Sequence, residues 1–371
     1  MRITCLLPAP GIPVQGPSGG SAHVRGLVRA LRASHEVEVV AALRTDRRGS
    51  FGEELTGVHE VGVPGWPSWL EPWRDLREVR VARRIAWKVI KDARRAPAPD
   101  LLIERHSLWS DAGWRIHDML GVPWVLEVNA PPVRERERFE RLRQPALAAR
   151  WERQVLQAAP VIVTVSTWLR DWLVRELGCR RVVLLPNGVD PRQGHRATGR
   201  ARLGVAEGQP VIGFVGSMKP WHGVGRLARV AQAAGARLAL LGERRDPSTF
   251  LADDEHLPPD VIWPGHLGPQ DLADAVAALD VGLAPYPADA PPWFCPLKVL
   301  DYRAQGTPVV GTDVGDTARL VGEGGTVVPP DDEAAMIEAV RGWLGRRTEP
   351  WVRSWGDVAS ELLTAAVPAP G

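Results

Sequence analysis

The sequence predicts an α/β protein made of two doubly wound domains, each built on a parallel sheet. The chain has 371 residues, more than twice the ~150 residues of a common domain. Short β-branched and aliphatic runs alternate with amphipathic stretches of helix length, which is the pattern of βαβ units. A stretch rich in Pro, Gly and charge, residues 186–200, interrupts this alternation near the middle of the chain and indicates a domain linker.

The first half of the chain contains the strands of the first predicted domain, residues 1–190. Each run is short and almost continuously apolar, as expected for parallel strands that are covered on both faces. The predicted strands cover residues 2–7, 37–41, 58–63, 101–104, 124–128, 161–165 and 182–185.

The second half repeats the pattern and predicts a second domain over residues 191–345. Its predicted strands cover residues 211–215, 237–241, 261–263, 281–284, 308–311 and 326–328. The last part of the chain, residues 346–371, is separate from this domain. Within it, residues 349–366 predict a helix with one apolar face, because Trp351 and Trp355 are one helical turn apart.

Composition and charge exclude several classes of protein. A hydrophobic content of 44% with 24% charged residues is ordinary for a globular chain and argues against disorder. A net charge of +2 is too small to indicate nucleic-acid binding. No run approaches the ~18 apolar residues of a membrane span. The first residues enter a predicted strand without a charged leader and a long apolar core, so we expect no secretion. Cys5, Cys179 and Cys295 are odd in number and far apart, so we expect no disulfide framework, no metal site and a cytoplasmic location.

Lysine is rare in this chain. Of its 46 basic residues only Lys88, Lys91, Lys219 and Lys298 are lysine, a bias that resembles the codon usage of a GC-rich bacterium. Two of these lysines lie in loops that follow predicted strands. In open α/β sheets, ligands bind at the carboxyl ends of the strands, so these loops are the first places to search for a site.

In each domain, one glycine-containing loop follows the first strand. The first carries Gly16, Gly19 and Gly20 before a helix that we expect to begin at Ser21, and its amides could approach an anion closely. The second contains Gly216, Ser217, Lys219 and His222. It fits neither the dinucleotide nor the P-loop pattern, but a cation and exposed amides after a strand suit a phosphate.

The strongest candidate is the segment that precedes the strand at 308–311. Pro296 suits the first helical position and Gly306 suits the left-handed residue that ends a helix, so the segment predicts a helix of about ten residues. Lys298 lies in its first turn, and Asp301 follows on the same face. This arrangement favours a diphosphate beside the lysine and a ribose beside the carboxylate; the alternative is an exposed ion pair between the two side chains.

Polar residues also end two strands of the first domain. Glu127 and Asn129 project to one side of a strand, and the Asn129 amide could bind a sugar hydroxyl or hold its own loop. His106 follows a neighbouring strand and could face an acceptor. Arg105, beside Glu104, is expected to make a structural ion pair.

Four matches, in the same order along the chain, resemble motifs of the glycosyltransferases of family 4, retaining enzymes of the GT-B architecture. The segment IERHSLW with the later VLEVNAPP is similar to a subgroup that carries ERYSLF and EVNAP. VSTWLRDWLVRELGCRRVVLLPNGVD resembles the end of the family's first domain, and GFVGSMKPWHGV resembles the start of its second. PLKVLDYRAQGTPVV resembles the family's donor helix, PLKxxEYMAxGxPVV.

The resemblance implies two Rossmann-like domains facing each other across a cleft, with a last helix that crosses back to the first. It implies a retaining transfer of sugar from a nucleotide-diphosphate sugar to the hydroxyl of a small-molecule or lipid-linked acceptor, without metal or other cofactor. The expected donor side, mainly in the second domain, comprises Gly19, Gly20, Gly216, Ser217, Lys219, His222, Phe294, Cys295, Pro296, Leu297, Lys298 and Asp301. The expected acceptor side comprises His23, Arg105, His106, Glu127 and Asn129. The candidate catalytic residues among them are His106, Asn129, Lys219 and Lys298.

The chain departs from the family's pattern at functional positions. Ser217 and His222 stand where the family often has Arg and Lys, which makes Lys219 the candidate replacement cation. Trp293 replaces the first of two family glutamates, and Asn129 stands where many relatives have a histidine. Two alternatives therefore stay open: a sugar-nucleotide epimerase or hydrolase of GT-B type, and a non-catalytic nucleotide-sugar binding protein.

Residues 77–95 form a basic amphipathic stretch that follows Trp66, Trp69 and Trp73 and could lie on a membrane surface. The stretch also has two apolar stripes: Leu76, Val79, Ala86 and Ile90, and Val81, Ile85 and Val89. Such stripes are expected of a helix that packs on a sheet. We therefore favour a packed helix over membrane contact.

Overall fold

The computed structural model describes residues 1–9, 14, 16, 18–44, 55–63, 74–190, 192–252 and 255–366. The chain divides into two compact units. The first comprises Met1–Pro186 together with Trp355–Gly371, and the second comprises Asn187–Ser354. Each unit is a parallel sheet with helical crossovers, so the predicted α/β fold class with two Rossmann-like domains is confirmed.

The first unit contains a seven-stranded parallel sheet in the order β3-β2-β1-β4-β5-β6-β7. Ile3 of the central strand lies between Val37 and Leu101 of its two neighbours, and all three side chains are buried. The strands are β1 (Arg2–Leu7), β2 (Glu36–Arg44), β3 (Val58–Val63), β4 (Leu101–Arg105), β5 (Trp124–Val128), β6 (Val161–Thr164) and β7 (Val182–Leu184). The helices are α1 (Gly19–Arg32), α2 (Arg74–Asp92), α3 (Ala112–Leu120), α4 (Pro132–Phe139), α5 (Pro145–Ala158) and α6 (Thr167–Asp171), which continues as a π-helical turn, Trp172–Glu176.

The second unit contains a six-stranded parallel sheet in the order β10-β9-β8-β11-β12-β13. Its strands are β8 (Val211–Val215), β9 (Arg237–Leu241), β10 (Ile262–Gly265), β11 (Val281–Ala284), β12 (Val309–Thr312) and β13 (Gly325–Val328). Its helices are α7 (Arg196–Leu203), α8 (Leu227–Ala234), α9 (Pro269–Ala278), α10 (Leu297–Ala304), α11 (Thr317–Val321) and α12 (Glu333–Trp343). The order reverses between β8 and β11, and in the first unit between β1 and β4. Loops at such reversals open a crevice at the carboxyl edge of the sheet.

The predicted linker is shorter than the sequence pattern indicated. The first unit ends at Pro186, and helix α7 begins at Arg196, inside the expected linker. Gly199 lies within this helix, and a Cβ atom there would be 1.9 Å from the carbonyl oxygen of Asp274. Gly199, which the sequence pattern places in the linker, therefore permits close packing of α7 on α9.

The predicted tryptophan face of the last segment is wrong. Helix α13 (Trp355–Ala366) begins at Trp355, so Trp351 precedes it. The Trp355 ring is buried against His23 in the first unit, with ring centroids 4.9 Å apart. Trp351 belongs to the second unit, where the Arg303 guanidinium lies 4.8 Å from its ring centroid. The two side chains therefore share no helical face.

No helix among the described residues is long and apolar enough to cross a bilayer. Helix α2 covers most of the basic stretch of residues 77–95 and packs on β2 and β3 of the sheet, with Val81, Ile85 and Val89 buried. Trp66, Trp69 and Trp73 lie outside the described residues.

Candidate functional site

The donor-side candidates of the second unit gather where β8 and β11 end. Helix α10 begins after Pro296, which caps it instead of occupying its first turn as predicted, and Lys298 is the second helical residue. The helix ends before Gly306, whose φ of +61° is the predicted left-handed conformation. Tyr302 accepts a hydrogen bond from the Val215 amide and donates to the Leu283 carbonyl, at 2.9 and 3.1 Å. The helix is thereby fixed to the ends of both strands.

Lys298 is enclosed by aromatic rings. The side chain is only 7% exposed, and its ammonium donates a 2.7 Å hydrogen bond to the Tyr286 hydroxyl. The same nitrogen lies 4.8 Å from the ring centroid of Phe214 and 4.7 Å from that of Tyr286. Phe294 packs on Tyr286, with centroids 4.5 Å apart. Ring faces attract a cation, so this aromatic cage partly replaces the water that burial removes.

The pKa values of Lys298 and Asp301 are both shifted from their usual ranges. Burial lowers the pKa of Lys298 to about 7, although the Asp301 carboxylate opposes the shift. Burial raises the pKa of Asp301 to about 7, with Lys298 opposing the shift and Asp190 adding to it. Perturbed, partly compensated groups at the carboxyl edge of a sheet are typical of a ligand site. A bound anion next to Lys298 would favour the charged ammonium.

The loop after β8 adopts an unusual backbone conformation. Met218 is fully buried and has a φ of +43°, which is uncommon for a residue with a side chain. Gly223 has a φ of +67°, and a Cβ atom there would be 2.0 Å from the Pro285 carbonyl oxygen. Strain of this kind often marks functional loops. Here it brings the loop against the end of β11.

The two cations predicted for this site, Lys219 and Lys298, differ in their exposure to solvent. Lys219 is exposed, with its ammonium 5.9 Å from the ring centroid of Trp221. His222 is buried and its Nδ1 accepts a 3.2 Å hydrogen bond from the Lys219 amide. Burial, with the charges of Lys298 and Lys219, holds the pKa of His222 well below its usual range, so the ring is neutral. Lys298 is therefore the buried cation of this group, and Lys219 is at the surface.

The other donor-side candidates occupy the surrounding loops. Gly216 and Ser217 are partly exposed directly after β8, and Leu297 is partly exposed in the first turn of α10. Cys295 is buried, and burial raises the pKa of its thiol to about 11, so it is a packing residue. Trp293, where a family glutamate would stand, is buried as well.

Sequence reasoning missed Tyr286 and Trp221, which line the aromatic cage. Trp221 stacks parallel to Tyr286 with centroids 6.4 Å apart and contacts Phe294 at 5.4 Å. One signal was available: the chain has only two tyrosines, and Tyr302 lies in α10 itself whereas Tyr286 accepts the hydrogen bond from the Lys298 ammonium.

The acceptor-side candidates of the first unit gather where β4 and β5 end. His23 of α1 and Glu127 of β5 are both buried, and His23 Nε2 lies 2.5 Å from Glu127 Oε1. Arg105 Nη1 lies 3.8 Å from the other oxygen of Glu127. Burial alone would raise the pKa of Glu127, but His23, Arg105 and Asn129 together lower it to about 2. Glu127 is therefore a fixed carboxylate whose charge is balanced within the cluster.

Arg105 makes the expected structural ion pair, with Glu127 and not with the adjacent Glu104. Successive side chains of a strand point to opposite faces, so Arg105 meets Glu127 whereas Glu104 faces α3. There Glu104 accepts hydrogen bonds from the Ser110 hydroxyl and the Gly113 amide, at 2.7 and 3.0 Å. Burial, opposed by these hydrogen bonds, raises the pKa of Glu104 to about 7.

His106 and Asn129 carry buried polar atoms with unused hydrogen-bonding capacity. Within the described residues, both ring nitrogens of His106 and Nδ2 of Asn129 have no hydrogen-bond partner of normal geometry. Burial lowers the pKa of His106 to about 4, so the ring is neutral and presents one donor and one acceptor. Buried polar groups normally have partners, so these atoms mark the positions where this cluster has unused hydrogen-bonding capacity.

The glycine loop of the first unit leads directly into α1. The helix begins at Gly19 and not at Ser21, because the Ser18 side chain caps it by accepting a hydrogen bond from the Ser21 amide at 3.2 Å. Arg25 donates to the carbonyl oxygens of Val14 and Gly16, at 2.9 and 2.8 Å, and so holds the preceding loop. Gly19 and Gly20 are therefore the first residues of a helix.

Two family models match consecutive parts of the chain. The model described as Glycosyltransferase Family 4 matches residues 17–193, and that described as Glycosyl transferases group 1 matches residues 209–346. The two matches fall on the first and second units, respectively.

Individual proteins are similar over much of the chain. A D-inositol 3-phosphate glycosyltransferase of Rhodococcus opacus (strain B4) is 26% identical over 96% of this chain and 82% of its own length. A GDP-mannose-dependent alpha-mannosyltransferase of Mycobacterium tuberculosis (strain CDC 1551 / Oshkosh) is 28% identical over 57% of this chain and 58% of its own length. A sucrose-phosphate synthase structure from Thermosynechococcus elongatus covers 98% of this chain and 94% of its own, with a TM-score of 0.69. Its 19% identity makes it evidence for the fold alone.

The order of the two family matches agrees with the order of the two parallel-sheet units. The chain belongs to the family 4 glycosyltransferases and has the GT-B fold.

Proposed function

We propose that this glycosyltransferase retains the anomeric configuration of a sugar that it moves from a nucleotide-diphosphate donor to an acceptor hydroxyl, without a bound metal. The observation that carries the proposal is the buried ammonium of Lys298 at the start of α10, with Asp301 one turn deeper. A diphosphate beside Lys298 would meet a cation and the positive end of a helix. The Asp301 carboxylate is suited to accept hydrogen bonds from the ribose hydroxyls.

The chemistry asks the protein to stabilise a departing diphosphate. The bond between the anomeric carbon and the phosphate oxygen breaks, a bond to the acceptor oxygen forms on the same face, and the departing phosphate takes the acceptor proton. Negative charge grows on the phosphate during this step. A fixed cation in a site shielded from water is the most effective way to stabilise that charge, and Lys298 has this position. We assign Lys219 a weaker role at the surface.

On the acceptor side we propose neutral hydrogen bonding. The neutral ring of His106, the amide of Asn129 and Nη1 of Arg105 have hydrogen-bonding capacity to spare. The charge of Arg105 is offset by Glu127, so this set suits hydroxyl groups and does not select an anion. The acceptor would therefore present hydroxyl groups to this cluster, whether it is a small molecule or a lipid-linked sugar.

The donor base and the finer assignments are proposals as well. The relatives named for GDP-mannose make GDP the first nucleotide to test. The segments IERHSLW and VLEVNAPP support membership of the subgroup with ERYSLF and EVNAP. Three unpaired buried cysteines support a reducing, cytoplasmic location.

A thermal-shift screen across GDP, UDP, ADP and dTDP identifies the base. The nucleotide that binds best should stabilise the protein by about 2.7 kcal/mol at 100 times its dissociation constant. Lys298→Met should abolish the shift, since it keeps the unbranched apolar stem of the side chain and removes its ammonium. An equal shift in the variant would contradict the diphosphate assignment.

A turnover assay with labelled nucleotide sugars separates the function from its alternatives. Slow hydrolysis or transfer of a donor excludes a non-catalytic binding protein, and release of an epimerised sugar would identify an epimerase. His106→Ala and Asn129→Ala should lower kcat while leaving donor affinity nearly unchanged. His256→Ala, an exposed histidine of the second unit, is the matched control. Equal loss of donor affinity and turnover in the first two variants would contradict an acceptor role.

A further inference from the structure

Asp331 of the second unit has a backbone conformation that favours glycine. It lies between β13 and α12, in a turn closed by a 3.4 Å hydrogen bond from the Asp332 amide to the Pro329 carbonyl. Its φ is +65°, and the third residue of a turn with such a φ is usually Gly or Asn. A residue with a side chain is strained there, whereas glycine would not be. Contacts of the Asp331 carboxylate can offset this strain.

The two carboxylate oxygens of Asp331 bind two different loops. Oδ1 accepts a hydrogen bond from Arg226 Nη2, at the end of the loop after β8. Oδ2 accepts a 3.1 Å hydrogen bond from the Ala288 amide, in the loop after β11. The pKa of Asp331 lies below its usual range, mainly because of the hydrogen bond from Arg226, so the carboxylate is charged at neutral pH. Asp331 thus joins three loops at the carboxyl edge of the second sheet.

The Ala288 amide is directed to this bond by the turn in which it lies. The Ala290 amide donates to the Pro287 carbonyl at 2.9 Å, which closes a turn over residues 287–290. The hydrogen bond of such a turn joins its first and fourth residues, so the amide of its second residue makes no bond within the turn. That second residue is Ala288, and Asp331 supplies its acceptor from another loop.

The two loops that Asp331 joins also build the aromatic cage of Lys298. Trp221 comes from the loop after β8, and Tyr286 comes from the loop after β11. Tyr286 accepts the hydrogen bond from the Lys298 ammonium and is only two residues from Ala288. A carboxylate that binds both loops therefore limits how far the two sides of the cage can move apart.

We propose that Asp331 is a positioning residue for donor binding, which holds the loops after β8 and β11 in the arrangement that encloses Lys298. This inference rests on the proposed donor site beside Lys298. Asp331 acts through the loops and not by contact with the donor, because Arg226 engages one of its oxygens and Ala288 the other. Without the carboxylate, the cage would be less well ordered before the donor arrives, and part of the binding free energy would be spent on ordering it.

Hydrogen exchange and nucleotide titration of Asp331→Gly test the proposal. Glycine removes the carboxylate and relieves the backbone strain, so the second unit should remain folded. Mass spectrometry should show faster amide exchange in residues 217–226 and 285–290, with unchanged exchange in β8 and β11. Among GDP, UDP, ADP and dTDP, the nucleotide that binds the parent best should bind this variant about fivefold more weakly, the upper range for an exposed ion pair. Asp331→Asn tolerates the same φ and keeps one acceptor oxygen, so it should restore part of both properties.

The matched control is Glu333→Gln. Glu333 pairs with Arg229 at 2.8 Å and so joins α8 to α12. This variant removes an ion pair close to Asp331 in the chain, and both loops should exchange and the nucleotide should bind as in the parent. Arg226→Gln cuts only one of the two bonds of Asp331, and exchange should rise in residues 217–226 but not in residues 287–290.

The readouts separate failure of this inference from failure of the donor site. Unchanged exchange in Asp331→Gly, or an equal rise in Glu333→Gln, would overturn the positioning role. Unchanged nucleotide affinity in Asp331→Gly would overturn it too, provided that Lys298→Met abolishes binding. If Lys298→Met also binds the nucleotide like the parent, the donor site itself is assigned wrongly, and the positioning role is overturned with it.

Discussion

Replacing Lys298 by arginine keeps a cation in the site but changes its shape, and the guanidinium stays charged where burial lowers the pKa of Lys298 to about 7. The Lys298 ammonium donates to the Tyr286 hydroxyl and lies between the rings of Phe214 and Tyr286. A guanidinium is broad, planar and longer than an ammonium group. In a site that is 7% exposed it must displace a ring, the start of α10 or the bound diphosphate.

The size of the effect follows from this enclosure. Adding volume to a filled interior costs about 1 to 3 kcal/mol. If the cost falls on the donor complex, kcat/KM drops about tenfold or more, at about 1.4 kcal/mol per decade. If it falls on the free protein, the same cost lowers Tm by about 2 to 4 °C per kcal/mol for a unit of this size. Donor titration and thermal unfolding of the same sample distinguish the two results.

The scarcity of lysine in this chain provides matched controls. Lys88 is partly exposed and pairs with Glu38 and Asp92, and Lys91 is exposed, so Lys88→Arg and Lys91→Arg should have no effect on turnover. Lys219→Arg should lose less than Lys298→Arg, because its side chain is exposed over Trp221 and arginine can make the same contact. If Lys298→Arg binds donor and turns over like the parent protein, Lys298 does not contact the diphosphate and our site assignment is wrong.

Three further predictions concern stability and metal dependence. Glu104 has its pKa raised from 4.5 to about 7, so its contribution to stability is complete below pH 4.5 and is lost as pH rises through 7. Between pH 5 and 7.5 the free energy of unfolding should therefore fall less for Glu104→Gln than for the parent, by about 3 kcal/mol at most. Calorimetry should show this as a shallower fall in Tm, and an unchanged slope would refute it. Gly26→Ala should destabilise the first unit by about 1 to 3 kcal/mol in urea unfolding, because the new Cβ would be 2.2 Å from Trp355 Nε1. The control, Gly342→Ala, should not destabilise the protein, because the space around Gly342 is open. Within the described residues, no three His, Cys, Asp or Glu side chains form a group that could hold a metal ion. We expect activity to persist in excess EDTA. Inactivation by EDTA that Mg²⁺ or Mn²⁺ reverses would contradict metal independence.

The sequence determined the fold class and nearly every strand. All thirteen predicted strands are present among the described residues, and their bounds agree within a few residues, as with β1 (Arg2–Leu7) and β8 (Val211–Val215). This succeeds because a buried parallel strand is a local pattern: a short apolar run bounded by turn residues. Helix ends were less certain. Capping by Ser18 and Pro296 moved the starts of α1 and α10 by one or two residues.

The tertiary structure decided which side chains meet and which face water. His23 and Glu127 are 104 residues apart in the chain, and their pairing depends on the order of strands, which no local pattern contains. Tyr286 could not be assigned to Lys298 until β11 and α10 were placed side by side. Both apolar stripes of α2 looked suitable for the core, and most of their residues are buried. Leu76, at the start of the first stripe, is 41% exposed, because the side of the helix that meets the sheet is fixed by tertiary packing and not by the sequence pattern.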